Sequence, residues 1–82
     1  MAVYRYLSSK QDVLDAMGWG NSTHYEKINN ELFVEPVKLG PRTSRYPSDE
    51  VTLMQDAYIA GKSKEEIRAL VRKLHAARKG AL

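Results

Sequence analysis

An 82-residue chain with 13 Lys and Arg, 10 Asp and Glu, a net charge of +3 and no cysteine excludes a disulfide framework, a thiolate zinc site and a thiol nucleophile together, and fits a reducing cytoplasm. A domain this short buries only about 60% of the surface its unfolded chain exposes, which leaves little room for an enclosed substrate pocket and favours surface recognition over catalysis. No apolar run approaches the roughly 20 residues of a membrane span, and the first residues lack a charged-then-apolar signal pattern, so a cytoplasmic protein without membrane contact is expected.

In chain order, Ser8 followed three residues later by Gln11 has the capping-box spacing and predicts a first helix. Val13, Leu14 and Met17 supply its apolar stripe, and Gly18 with Gly20 breaks it. Gly18-Trp19-Gly20 reads as a tight turn whose indole anchors a small core. Asn21 or Ser22 then offers the N-cap of a second short helix through Thr23, Tyr25 and Ile28 to about Asn30, with Tyr25 and Ile28 directed to the core. Two short helices joined by a glycine-containing turn of three residues read as a helix-turn-helix.

Leu32-Phe33-Val34-Glu35-Pro36-Val37-Lys38-Leu39 has β-favouring residues and a proline that stops a helix, and reads as a strand. Gly40-Pro41 supplies a turn and Thr43-Ser44-Arg45-Tyr46 a second strand, so residues 36 to 46 are expected to form a compact hairpin, a candidate wing. Pro47-Ser48-Asp49-Glu50 suits a helix N-terminus, with Ser48 as cap. Val51, Met54 and Tyr58 give that third helix its apolar side, and Gly61 ends it. Ser63 with Glu66 repeats the capping box and opens a fourth helix with Ile67, Leu70, Val71 and Leu74 on one face and basic residues on the other. Residues 76 to 82 read as a frayed end. The expected organisation is therefore a unit over residues 1 to 60 and a basic amphipathic helix and tail over 61 to 82. That last stripe either folds back on the same domain or pairs with a second copy of the chain in a homodimer.

Charge is segregated along the chain. Residues 36 to 46 hold three basic groups and no acidic one, residues 47 to 60 three acidic and no basic, and residues 61 to 82 seven basic against two acidic. A phosphate-facing surface requires such clustering, because affinity for duplex DNA comes largely from Lys and Arg near backbone phosphates. With the second helix in a major groove, Asn21, Ser22, Thr23, His24, Tyr25 and Lys27 are the candidate contacts. Asn21 could pair with adenine, Thr23 meet a thymine methyl, and the Tyr25 hydroxyl reach a phosphate. Against this, Asn21 and Ser22 could simply cap the helix, and His24 could be an ordinary exposed polar residue. Lys38, Arg42 and Arg45 on the hairpin suit a backbone or minor-groove contact, or else keep a sheet edge soluble. Lys62, Lys64, Arg68, Arg72, Lys73, Arg78 and Lys79 could add non-specific contacts or solvate an outer face.

Three segments carry a resemblance to a known family: Tyr6-Leu7-Ser8-Ser9-Lys10-Gln11, Asn21-Ser22-Thr23-His24-Tyr25, and Glu35-Pro36-Val37-Lys38-Leu39-Gly40-Pro41-Arg42. Through them, and through the acidic helix start Pro47-Ser48-Asp49-Glu50-Val51, residues 6 to 60 resemble the AlpA-like phage transcriptional regulators, a branch of the MerR-like and excisionase-like winged-helix proteins. The resemblance implies control of prophage genes or the directing of excision, with an integrase or another regulator as a further partner. The chain departs from the family's pattern where Asn21 and Glu26 replace basic residues flanking the Ser-Thr-x-Tyr core, and where His24 replaces an aliphatic one.

The expected fold is mostly α with a small β-hairpin: a winged helix-turn-helix plus a C-terminal helix. The expected function is sequence-specific recognition of double-stranded DNA, with no cofactor. An enzyme is disfavoured because His24 and His75 lie far apart and neither metal-ligand spacing nor a phosphate-cradling glycine loop occurs. The rival is a protein-interaction module, an antirepressor or assembly adaptor, in which Glu26 marks a groove face that has lost its basic character.

Overall fold

Seven elements follow one another in the computed structural model, which describes residues 6–79: β1 (Leu7–Ser8), α1 (Lys10–Met17), α2 (Asn21–Asn29), β2 (Val37–Gly40), β3 (Thr43–Pro47), α3 (Ser48–Ile59) and α4 (Lys64–Lys79). The protein is mostly helical with one small antiparallel sheet, in the order β1-β3-β2. β2 and β3 form a hairpin with Val37 opposite Arg45, Lys38 opposite Ser44 and Gly40 opposite Thr43, and an irregularity between Lys38 and Gly40. The strand absent from the sequence reading is β1, which pairs Leu7 with Pro47 and Ser8 with Tyr46. Two residues are too few to leave an alternation in sequence.

β1 also explains two shifted helix starts. Ser8 is taken up by the sheet, so the cap of α1 falls to Ser9, whose side chain accepts from the Asp12 amide at 3.2 Å. Gln11 bonds instead to Asp15. Ser48, expected to cap α3, is its first helical residue. Its hydroxyl accepts from the Tyr6 amide at 2.8 Å, and its own amide donates to the Tyr6 carbonyl at 2.7 Å. That side chain ties down the incoming chain rather than the helix end.

Leu32, Phe33 and Val34, read as the start of a strand, form none; the strand begins at Val37. All three side chains are buried, which a strand with one face to solvent could not achieve. A buried irregular segment must find partners for its backbone groups, and here the neighbouring helices supply them. The Leu32 amide donates to the Lys27 carbonyl, the Leu32 carbonyl accepts from the Tyr58 hydroxyl of α3, and the Glu35 amide donates to Nε2 of His75 on α4 at 3.1 Å. Arg78 reaches the Glu35 carbonyl at 2.7 Å.

α2 and α3 end in the same way. The amide two residues past the cap reaches back to the carbonyl three residues before the cap, from Leu32 to Lys27 and from Lys62 to Ala57. This closure needs a left-handed residue between. α3 uses Gly61 at φ 73, whereas α2 uses Glu31 at φ 58, where a Cβ makes that conformation costly. Glu31 is held there by Arg72 of α4, whose Nε and Nη2 donate to the two carboxylate oxygens at 3.2 and 3.1 Å.

One core joins everything: Val13, Leu32, Phe33, Val34, Tyr46, Val51, Met54, Ala57, Ile67, Val71 and Leu74, with Met17, Trp19, Ile28, Tyr58 and Leu70 packed at its margin. The α4 stripe is thus folded back onto the same core as residues 13 to 57. α4 also continues past the expected fraying point at residue 76, through Lys79; residues 80 to 82 of the expected frayed end lie outside the described residues. The grip of Arg78 on Glu50 and Glu35 holds the last turn, where basic side chains also suit the helix dipole.

Candidate nucleic-acid interface

The hairpin carries its three cations on a rigid support. Lys38 and Arg42 are exposed, Arg45 is half-buried with Nη1 donating to the Ser44 carbonyl, and none of them has an acidic partner among the described residues. Pro41 and Arg42 form the turn between the paired Gly40 and Thr43, so Arg42 stands at the tip.

On α2, Asn21, Ser22, Thr23 and Tyr25 lie at the surface, and Ser22, Glu26 and Asn29 follow at helical spacing on the side away from His24. Neither Asn21 nor Ser22 caps the helix. The cap is Gly20, in extended conformation and without a side-chain hydrogen bond, so among the described residues the helix N-terminal amides have no side-chain acceptor. Tyr25, expected in the core, is 52% exposed. Nζ of Lys10 donates to its hydroxyl at 3.2 Å and lies 5.3 Å from its ring centroid. Lys10 is a surface cation beside α2 that sequence reasoning missed, because it comes from α1 and no spacing in the sequence links it to Tyr25.

Two of the expected contacts are turned inward. His24 is fully buried. The Trp19 indole N–H donates to its Nδ1 at 3.2 Å, and its Nε2 lies 2.8 Å from the Tyr46 hydroxyl. Its ring also packs against Phe33, at a centroid distance of 5.5 Å. Burial, and then the Lys10 ammonium, hold its pKa below the usual histidine value. Lys27 is half-buried with Nζ 6.0 Å from the Trp19 centroid and 5.9 Å from that of Tyr58. Both positions fall on the inward arc of α2 with Ile28, since residues 24, 27 and 28 share one helix face. Full burial keeps His24 from being a ligand contact in this arrangement, and Lys27 lies toward the Trp19 and Tyr58 rings. Burial raises the phenol of Tyr46 to about 12 and that of Tyr58 in the same direction, so both remain hydrogen-bonding hydroxyls across the neutral range.

Four of the seven cations in the C-terminal basic cluster are paired with carboxylates. Arg78 makes a three-bond pair with Glu50, with Nε at 3.1 and 3.0 Å from the two oxygens, and the carboxylate side chain is 4% exposed. Arg68 pairs with Glu65 at 3.1 Å and donates to the Asn30 carbonyl, Arg72 pairs with Glu31, and Lys62 pairs with Glu66 at 3.7 Å. Of the seven cations, Lys64, Lys73 and Lys79 are left without an acidic partner among the described residues. The capping box expected at Ser63 is present: the Glu66 amide donates to Oγ of Ser63, and the Ser63 amide donates to the Glu66 carboxylate, each at 3.2 Å. Those bonds lower the pKa of Glu66.

Among the described residues, no group of His, Asp and Glu could hold a metal ion, and no helix is long and apolar enough to cross a membrane. Compared with protein-family models, with curated proteins and with solved structures, the chain matches none.

Proposed function

We propose that this chain is a winged helix-turn-helix protein that binds double-stranded DNA, resembling the AlpA-like regulators and acting as a transcriptional regulator or excisionase-like accessory factor. The observation that carries the reading is the β2–β3 hairpin, whose Lys38, Arg42 and Arg45 have no acidic partner among the described residues, whereas Lys62, Arg68, Arg72 and Arg78 each meet one. Cations fixed on a hairpin are available to phosphates without first breaking an internal ion pair. α2 fits the recognition role through its surface residues Asn21, Ser22, Thr23 and Tyr25 and its N-terminus without a side-chain cap, since open helix amides donate to a phosphate oxygen. Lys10 beside Tyr25 adds a further cation. An integrase or another regulator, and a second copy of the chain, are the partners this function would bring.

The test is fluorescence anisotropy of the purified protein against a mixed-sequence duplex over a series of salt concentrations. Binding that weakens steeply with salt is expected. One observation favours a second reading: the outward row of α2 carries Glu26 with Ser22 and Asn29, and no basic residue. A protein partner is the better reading if no duplex binds even at low salt.

A further inference from the structure

His24 joins three segments that are separate in sequence. Trp19 belongs to the turn between α1 and α2, His24 to α2, and Tyr46 to the base of the hairpin on β3. An indole N–H can only donate, so Nδ1 of His24 must be the acceptor. The ring proton then sits on Nε2 and is donated to the Tyr46 oxygen. His24 and Tyr46 are 0% and 2% exposed, so water cannot replace either bond without the elements parting. The rings of Trp19, Phe33, Tyr25 and Tyr46 surround the imidazole at centroid distances of 6.2, 5.5, 6.0 and 5.4 Å. The titratable groups facing it are Tyr25 on its own helix, Tyr46 from β3 and the Lys10 ammonium from α1. Behind Trp19 stand Tyr58 of α3 and Lys27.

We infer that His24 is the positioning residue that holds α2 against the base of the β2–β3 hairpin, and that proton uptake at its Nδ1 releases that grip, so that duplex binding is lost in acid. The last clause rests on the DNA-binding reading; the release itself does not. A proton on Nδ1 sets an N–H against the indole N–H and ends that bond. It also places a positive charge in a dry site beside the Lys10 ammonium, where no carboxylate of the described residues offsets it. A buried charge without a partner is expelled rather than tolerated. Moving His24 outward separates α2 from Tyr46.

The experiment has two arms. Long-range proton–nitrogen correlation spectra of the wild-type protein, taken from pH 8 to 5, read the tautomer and titration of His24. Expected are the Nε2–H tautomer at neutral pH, a midpoint below the ordinary 6.5, and movement of the Trp19 indole resonance and the amides around His24 and Tyr46 at that midpoint. Val71 in α4 should stay fixed. An Nδ1–H tautomer, a titration that leaves the indole resonance unmoved, or collapse of the whole spectrum at one midpoint would each overturn the release. In the second arm, wild-type Kd for the mixed-sequence duplex should rise by up to about tenfold per pH unit below the midpoint. His24→Gln, which can accept from Trp19 and donate to Tyr46 but cannot gain a proton, should show no loss of binding in acid. Acid otherwise raises the protein's positive charge and strengthens binding to phosphate, so loss in the wild type alone identifies the release. Equal loss in His24→Gln overturns it. Absence of wild-type binding at neutral pH defeats the DNA reading, and the spectra then decide the release by themselves.

Discussion

The hairpin and α4 are the two basic regions of this molecule, and their cations have different fates. The segment from residue 61 onward has the larger number, yet Arg68, Arg72, Arg78 and Lys62 each meet a carboxylate, while Lys38, Arg42 and Arg45 meet none among the described residues. Cation density along a sequence therefore overstates the field that α4 presents. Two of the carboxylates that make the difference, Glu31 and Glu50, are 41 and 28 residues away from their arginines. The arginines of α4, Arg68, Arg72 and Arg78, serve to hold it in place.

That contrast is broken most directly at Arg78. Arg78→Ala removes the three-bond pair with the buried Glu50 carboxylate and should cost about 3 kcal/mol, lowering Tm by about 12 °C or more, as scanning calorimetry would read. A loss no larger than that of an ordinary surface substitution would mean the pair is not structural. Next in size is Tyr46→Phe, which removes the acceptor for the buried Nε2–H of His24 and should cost about 1 to 2 kcal/mol in denaturant titration.

A pH series sharpens the same point. The folded pKa of His24 is depressed, so its contribution is complete above the unfolded value of about 6.5 and is lost progressively as pH falls toward the folded value, the unfolded chain binding the extra proton. His24→Gln should remove that decline, measured as Tm between pH 7.5 and 5. Smaller again is Arg72→Gln. Its exposed pair with Glu31 is screened by salt, so the variant should lose a little Tm at low salt and nothing measurable at 1 M. The smallest effect on stability is expected from Arg42→Ala with Arg45→Ala. The double change should leave Tm nearly unmoved while the slope of log affinity against log salt falls by about 2; an unchanged slope would remove the hairpin from the DNA interface.

Much of the local architecture was legible in the residues. The Gly18-Trp19-Gly20 break, the hairpin around Gly40-Pro41, the Ser63–Glu66 box and the Ile67, Val71 and Leu74 stripe all depend on interactions within a few positions, which spacing records. The readings that failed depend on distant partners. Ser8 was lost as a cap to a two-residue strand, Leu32 to Val34 were lost as a strand to burial by three helices, and Tyr25 was exchanged with His24 between surface and core. For the candidate site, Asn21, Ser22, Thr23, Tyr25, Lys38 and Arg42 are exposed and Arg45 is half-buried, whereas His24 and Lys27 are turned inward and Lys10 was overlooked.

By itself, then, the sequence determined the helical and strand periods, the turns and the supply of charge, because these follow from short-range backbone preferences and from composition. Only the tertiary structure decided which cations are neutralised and which α2 side chains are withdrawn. Both depend on contacts between segments brought together by the shared core, and contacts between residues distant along the chain leave no signature in sequence spacing.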